Sequence, residues 1–161
     1  MEDTFKLEGI FKYEIFNEEN ELIDEYEDKN RIVDNSFAIL TGLLVDGNGD
    51  FKIDTLKLGN GGVINNTIQT VTKKDTSLYN EVYSKDTTDI IIGNIGDKYV
   101  KFQWTLDYSD GNGDGINVLN EAGLYSNVVT NIMFSRKTFP SIIKDINKKI
   151  LITWILRYTY S

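Results

Sequence analysis

Apolar or small side chains recur at every second position through long stretches of this chain, and no other feature restricts its fold so strongly. Phe5, Leu7, Gly9, Phe11, Tyr13 and Ile15 alternate with Lys6, Glu8, Lys12 and Glu14. Val100, Phe102, Trp104 and Leu106 alternate with Lys101, Gln103, Thr105 and Asp107. A period of two sends successive side chains to opposite faces of a strand, so both stretches read as strands with one buried and one wet face. In 149–158, Ile150, Ile152, Trp154 and Leu156 make one face while Leu151 and Ile155 leave the other partly apolar. Such a strand is expected to be covered on both sides, by its own domain or by a partner chain.

The rest of the chain follows the same grammar. Residues 17–20 form a polar turn and 22–26 a return strand, so the first 34 residues read as a hairpin or meander. Further strands are expected at 51–59, 90–92, 123–125 and 132–139. Residues 63–77, rich in Thr, Asn and Gln, read as a surface loop. One segment departs from period two. Asn35 or Ser36 can cap a helix, and Phe37, Leu40, Leu43 and Leu44 then fall on one helical face, with the Asp/Gly/Asn string 46–50 as its stop. These elements predict an all-β fold, an antiparallel β-sandwich with one short helix near residues 35–45, as a single domain over 1–161.

Composition then removes chemistries. The 161 residues include no histidine and no cysteine. That excludes a Ser-His-Asp triad, a cysteine nucleophile, a Cys/His zinc site and a disulfide framework. A formal charge of −8, with no local Lys/Arg cluster, argues against nucleic acid as a partner. No apolar run approaches the roughly 20 residues of a membrane span, and the acidic N-terminus lacks the features of a signal peptide. The expectation is a soluble chain made in the cytosol.

Asp110-Gly111-Asn112-Gly113-Asp114-Gly115, followed by Glu121, fits the calcium-loop pattern D-x-[DN]-x-[DN]-G-x5-E. Asp110, Asn112, Asp114 and Glu121 could offer oxygens to Ca²⁺. The strand periodicity before Asp110, and Asn117 at the usually apolar eighth position, point instead to a hairpin connection built from residues that tolerate positive φ. Gly59-Asn60-Gly61-Gly62 follows a strand, but no Gly-Lys-Ser/Thr and no helix start follow it, so a phosphate cradle is not expected. Acidic residues are plentiful enough that a chance carboxylate pair signifies little, and no hydrolase site is read here. Trp104, Trp154, Phe134 and Phe139 lie on strand-periodic stretches and read as core. Nine tyrosines, some necessarily exposed, suit protein–protein contact.

Several stretches, in order, carry a resemblance. Asn30-Arg31-Ile32-Val33-Asp34-Asn35-Ser36 precedes the helix. Leu56-Lys57-Leu58-Gly59-Asn60-Gly61 runs into a turn, and Thr76-Ser77-Leu78-Tyr79-Asn80-Glu81-Val82-Tyr83 follows, with Ser84 where an Arg is usual. Late in the chain come Asn120-Glu121-Ala122-Gly123-Leu124-Tyr125, then Met133-Phe134-Ser135-Arg136 through Phe139 and Pro140, Lys144, and Ile150-Leu151-Ile152-Thr153-Trp154. This ordered set resembles bacteriophage virion structural proteins of the tail-fibre and baseplate attachment type, also found in phage-tail-like particles. The resemblance implies a non-enzymatic docking or adaptor module without cofactor. It would assemble as a homo-oligomer, a trimer by analogy, and contact other virion proteins after synthesis in the bacterial host cytoplasm. A capsid-decorating or head-fibre protein is the alternative within the class. From another class the main rival is a carbohydrate-binding module recognising host-surface glycans through Trp and Tyr, with an oxygen-ligand metal enzyme a distant third. Because the chain ends soon after its last family-like strand, the expectation is an attachment module without a fibre shaft. The resemblance also makes Glu121 structural. A buried carboxylate needs a cation or several N–H donors, so Glu121, or Glu81, is expected to pair with Arg136.

Overall fold

The alternating stretches are strands. The computed structural model describes residues 5–45, 51–86, 89–93, 97–126 and 131–160. In chain order the elements are β1 (Phe5–Phe16), β2 (Leu22–Lys29), β3 (Arg31–Ile32), α1 (Ser36–Val45), β4 (Ile53–Gly59), β5 (Val63–Ile64), β6 (Thr67–Ile68), β7 (Glu81–Lys85), β8 (Ile90–Ile92), β9 (Tyr99–Leu106), β10 (Ile116–Ser126), β11 (Ile132–Asp145) and β12 (Lys149–Tyr160). Two five-stranded antiparallel sheets form, in the orders β2-β1-β12-β9-β8 and β3-β11-β10-β4-β7, with a small β5-β6 hairpin beside them. The fold is therefore the all-β sandwich that the periodicity predicts.

The inward phase of each alternating strand makes the core. Register aligns Phe11, Trp154 and Phe102 across the first sheet, then Tyr13, Ile152 and Trp104, then Ile15, Ile150 and Leu106. All nine are buried. Leu56 and Leu58 of β4, Leu119 and Leu124 of β10, and Phe134 and Phe139 of β11 face them from the second sheet. Phe11 bridges the layers, with its ring 5.1 Å from Phe139 in a stack and 5.1 Å from Trp154 edge-on. Each such large apolar side chain contributes about 1.5–3 kcal/mol by leaving water. The outward residues of β12, Leu151 and Ile155, are half-buried beneath their neighbours on the sheet face.

Two strands run longer than the periodicity suggests. β10 begins at Ile116 rather than 123, and β11 continues to Asp145 rather than stopping at 139. Buried Asn117, Asn120 and Glu121 interrupt the apolar alternation of β10. The pairing also shifts register between Leu119 and Glu121, where exposed Pro140 of β11 is tolerated at the irregularity.

The helix forms where expected, but with a different face inward. Ser36 and Ile39 are its buried residues, whereas Phe37, Leu43 and Leu44 are exposed at 69%, 44% and 89%. The sequence SFAILTGLLV is apolar nearly all round, so spacing alone could not select the buried stripe. Its expected stop at 46–50 lies outside the described residues. The 63–77 loop contains the short β5-β6 hairpin.

Candidate functional site

Glu121 sits on β10 just past the register shift, fully buried, opposite Gly59 of β4 on one side and Thr138 of β11 on the other. One carboxylate oxygen accepts hydrogen bonds from the backbone N–H of Gly61 (3.0 Å) and Asn80 (2.8 Å). The other accepts from the N–H of Tyr79 (2.9 Å) and from Arg136 Nη2 (2.5 Å). Arg136, on β11 and only 1% exposed, donates through Nη1 to Asp75 (2.9 Å), and its guanidinium lies 3.8 Å from the centre of the Tyr79 ring. Asp75 is held by Thr72, which donates to it from its hydroxyl (2.6 Å) and its N–H (3.2 Å). The neighbouring Asn120 accepts from the N–H of Gly62 at 2.7 Å.

This arrangement explains the Gly59-Asn60-Gly61-Gly62 turn. A Cβ on Gly59 would lie 2.5 Å from a Glu121 oxygen, and one on Gly61 only 2.5 Å from Tyr79 Cβ. The turn is an anion cradle, but its anion is the chain's own carboxylate. A carboxylate with four donors, three backbone N–H groups and an arginine, is fully satisfied and has no free lone pair for proton transfer. The chemistry it supports is cross-linking: Glu121 and Arg136 clamp the loops at 59–62 and 72–80 onto the second sheet.

The expected partners divide. Glu121 and Arg136 are brought together. Glu81 is not part of the pair: it meets Lys57 at 2.7 Å with its side chain 42% exposed, because β7 is an edge strand whose Glu81 reaches along the neighbouring β4. Asp75 takes the second position on Arg136 instead. No strand or helix pattern marks that residue; the only sequence hint is the local Thr72-x-x-Asp75 spacing. Lys85, next to the departing Ser84, reaches across to the Thr105 carbonyl at 2.8 Å and Asp89 at 3.2 Å.

The calcium-loop residues are not gathered round one point. Gly111, Gly113 and Gly115 all have positive φ (68°, 57° and 116°), which is what the tight connection between β9 and β10 requires. Within that loop the positive charge is supplied by buried Lys144 of β11. Its ammonium donates to Asn112 Oδ1 at 2.6 Å and to the Asp145 carbonyl at 3.0 Å. Burial holds its pKa below the usual lysine value, opposed by Asp110, Asp145 and Asp107. Asp110 caps the turn by accepting from the Asp107 N–H at 3.2 Å, while the Glu121 oxygens are committed to Arg136 and its cradle. Among the described residues no three acidic side chains are grouped to hold a metal. The pattern's twelfth position, Glu121, therefore faces a different partner from the loop residues. Lys144 was legible in one respect, as it falls on the same inward phase of β11 as Ile142.

Both tryptophans are wholly buried, so neither presents a ring for stacking on a sugar. With its amide turned to suit these donors, Asn30 accepts from Trp154 Nε1 and from the Ile10 N–H. Among the described residues, no helix is long and apolar enough to cross a membrane. No family model, curated protein or solved structure matches this chain. The exposed features are therefore the remaining guide to function. They include the outer faces of α1 and of the β10–β11 pair, where Val118 (41% exposed) and Ile143 (48%) stand opposite each other, with Ile116 (67%) nearby.

Proposed function

We propose that the protein is a non-enzymatic structural module of a bacteriophage virion, a docking or adaptor unit of the tail or baseplate fibre apparatus. It works by forming interfaces with copies of itself and with other virion proteins. One observation carries the reading. The stretches that resemble the attachment-module family, around 59–61, 76–83, 120–125 and 133–136, are distant in sequence yet converge on the Glu121–Arg136 clamp. Their shared position accounts for the ordered pattern as one structural device whose polar groups are spent on holding loops. Apolar side chains left in water on α1 and on β10–β11 add surface suited to burial by a neighbour. By analogy with fibre-type proteins the assembly is a trimer.

Cryo-EM or antibody labelling of purified particles tests this directly. Density or label at the tail, baseplate or neck supports the reading, and label over the capsid moves the protein to a decorating or head-fibre role. Particles that lack it altogether would remove the virion assignment.

A further inference from the structure

The charge of this chain is concentrated rather than spread. Residues 13–28, the end of β1 with its turn and most of β2, hold eight acidic side chains and no Lys or Arg. The chain's 25 Asp and Glu less these eight leave 17, equal to its 17 Lys and Arg, so the whole formal charge of −8 resides on this hairpin. At its turn Glu18, Glu19, Glu21 and Asp24 are exposed, and none forms an ion pair among the described residues. Between them Leu22 and Ile23 stand 49% and 52% exposed. The turn is an acidic knob, with two exposed apolar side chains beside it at the start of β2.

The other end of the same hairpin is its complement. A cleft of about 460 Å³ opens beside Gly9 and Asn30, with Leu7, Ile32 and Leu40 among the apolar side chains that line it. Its charged lining is Lys6, Lys29, Arg31 and Lys73 against Glu8 and Asp34. Glu8 already meets Lys6 at 2.6 Å and Lys29 at 3.8 Å. Arg31 and Lys73 are exposed and make no ion pair among the described residues. This cationic rim around apolar side chains is opposite in sign to the acidic turn of the hairpin.

Knob and cleft cannot meet within one molecule. From Gly9 to Asn17 the strand rises roughly 26 Å, at about 3.3 Å per residue, and β1 is locked between β2 and β12 over that length. We infer that the acidic turn of one copy, with Leu22 and Ile23 at the adjoining start of β2, docks into the Arg31/Lys73 cleft of a second copy. The contact is head-to-tail, so it closes into a ring where the rotation between copies permits. The inference rests on the reading of the protein as a self-assembling module and names the surfaces through which it would assemble. Charge complementarity steers the encounter and fixes orientation, while Leu22 and Ile23 leaving water hold the contact.

Sedimentation velocity on the full chain tests it, at about 0.1 M and about 1 M salt, where the Debye length falls from about 10 to 3 Å. Self-association is expected at low salt and should weaken by about tenfold or more at high salt. Two variants sharpen the test: Glu18→Lys/Glu19→Lys/Glu21→Lys in the knob, and Arg31→Glu/Lys73→Glu in the cleft. All five positions are exposed, so both should fold, which thermal melts will verify. Each variant alone should be monomeric, and an equal mixture should associate again, because each knob then faces a cleft of opposite charge. Association that neither variant disturbs overturns the knob-and-cleft contact while leaving a self-assembling module in place. A mixture that stays monomeric also overturns it. A wild-type chain that is monomeric at both salts overturns it too, and particle labelling then decides separately whether the protein is a virion component.

Discussion

Glu121 and Arg136 hold opposite charges where water does not reach, and their value lies in what removing either would leave behind. Arg136→Ala strands a buried carboxylate, and Glu121→Ala strands a buried guanidinium with three loop N–H groups. Breaking one side of a buried pair costs about 3–5 kcal/mol. Urea unfolding should show a loss of that size in both variants, and unchanged midpoints would sink the clamp as a stabilising device. Tyr125 gives a second test at this scale. Burial pushes its pKa up from 10.0 to about 12, with the Leu78 N–H, which bonds the phenol oxygen, acting in the opposite direction. Between those values the unfolded chain releases a proton that the folded one keeps, so stability falls as pH rises from about 10 to 12. At 1.36 kcal/mol per pH unit the loss approaches about 3 kcal/mol. Tyr125→Phe should flatten the alkaline limb of a stability–pH curve, and an unchanged limb would contradict the assignment.

At the scale of elements, the loops that carry Gly61, Tyr79 and Asn80 have no strand ladder of their own at those amides, yet their N–H groups end on Glu121. Hydrogen exchange should find these amides protected far beyond ordinary loop positions, and Gly59→Ala should release them. The added methyl meets both the carboxylate and the Asn80 carbonyl, at 2.5 and 2.4 Å, so a cost of about 1–3 kcal/mol or more is expected. The helix supplies a contrasting pair. Ile39→Ala empties a buried site and should cost about 2–5 kcal/mol, whereas Leu44→Glu, at a position 89% exposed, should change monomer stability by no more than about 0.5 kcal/mol. Equal effects in denaturant unfolding would show that the wrong face has been placed inward.

For the whole molecule, two layers of strands close over Trp104 and Trp154, and the surface divides into an acidic hairpin and a nearly neutral remainder. Tryptophan emission should accordingly be blue-shifted, resist acrylamide quenching and stay constant on adding glycans. A glycan-dependent shift would favour the carbohydrate-binding alternative. Calcium titration should give no binding heat from the 110–115 loop, since the Lys144 ammonium already serves its Asn112 oxygen. The sequence alone determined the sandwich and its core, because strand periodicity is a local property: Phe11, Trp104 and Trp154 each share the phase of the other apolar residues two positions away on their strands. It also located Glu121 and Arg136 as partners, through a resemblance rather than through spacing. Only the tertiary structure decided the rest. Asp75 joins Arg136 across 61 steps of chain, the Lys144 ammonium reaches the Asn112 oxygen of the Asp/Gly/Asn loop, and a uniformly apolar helix turns Ile39 inward and Leu44 outward. Each of those outcomes depends on which groups, distant in sequence, the fold brings within hydrogen-bond or van der Waals range, and local pattern carries no record of that distance.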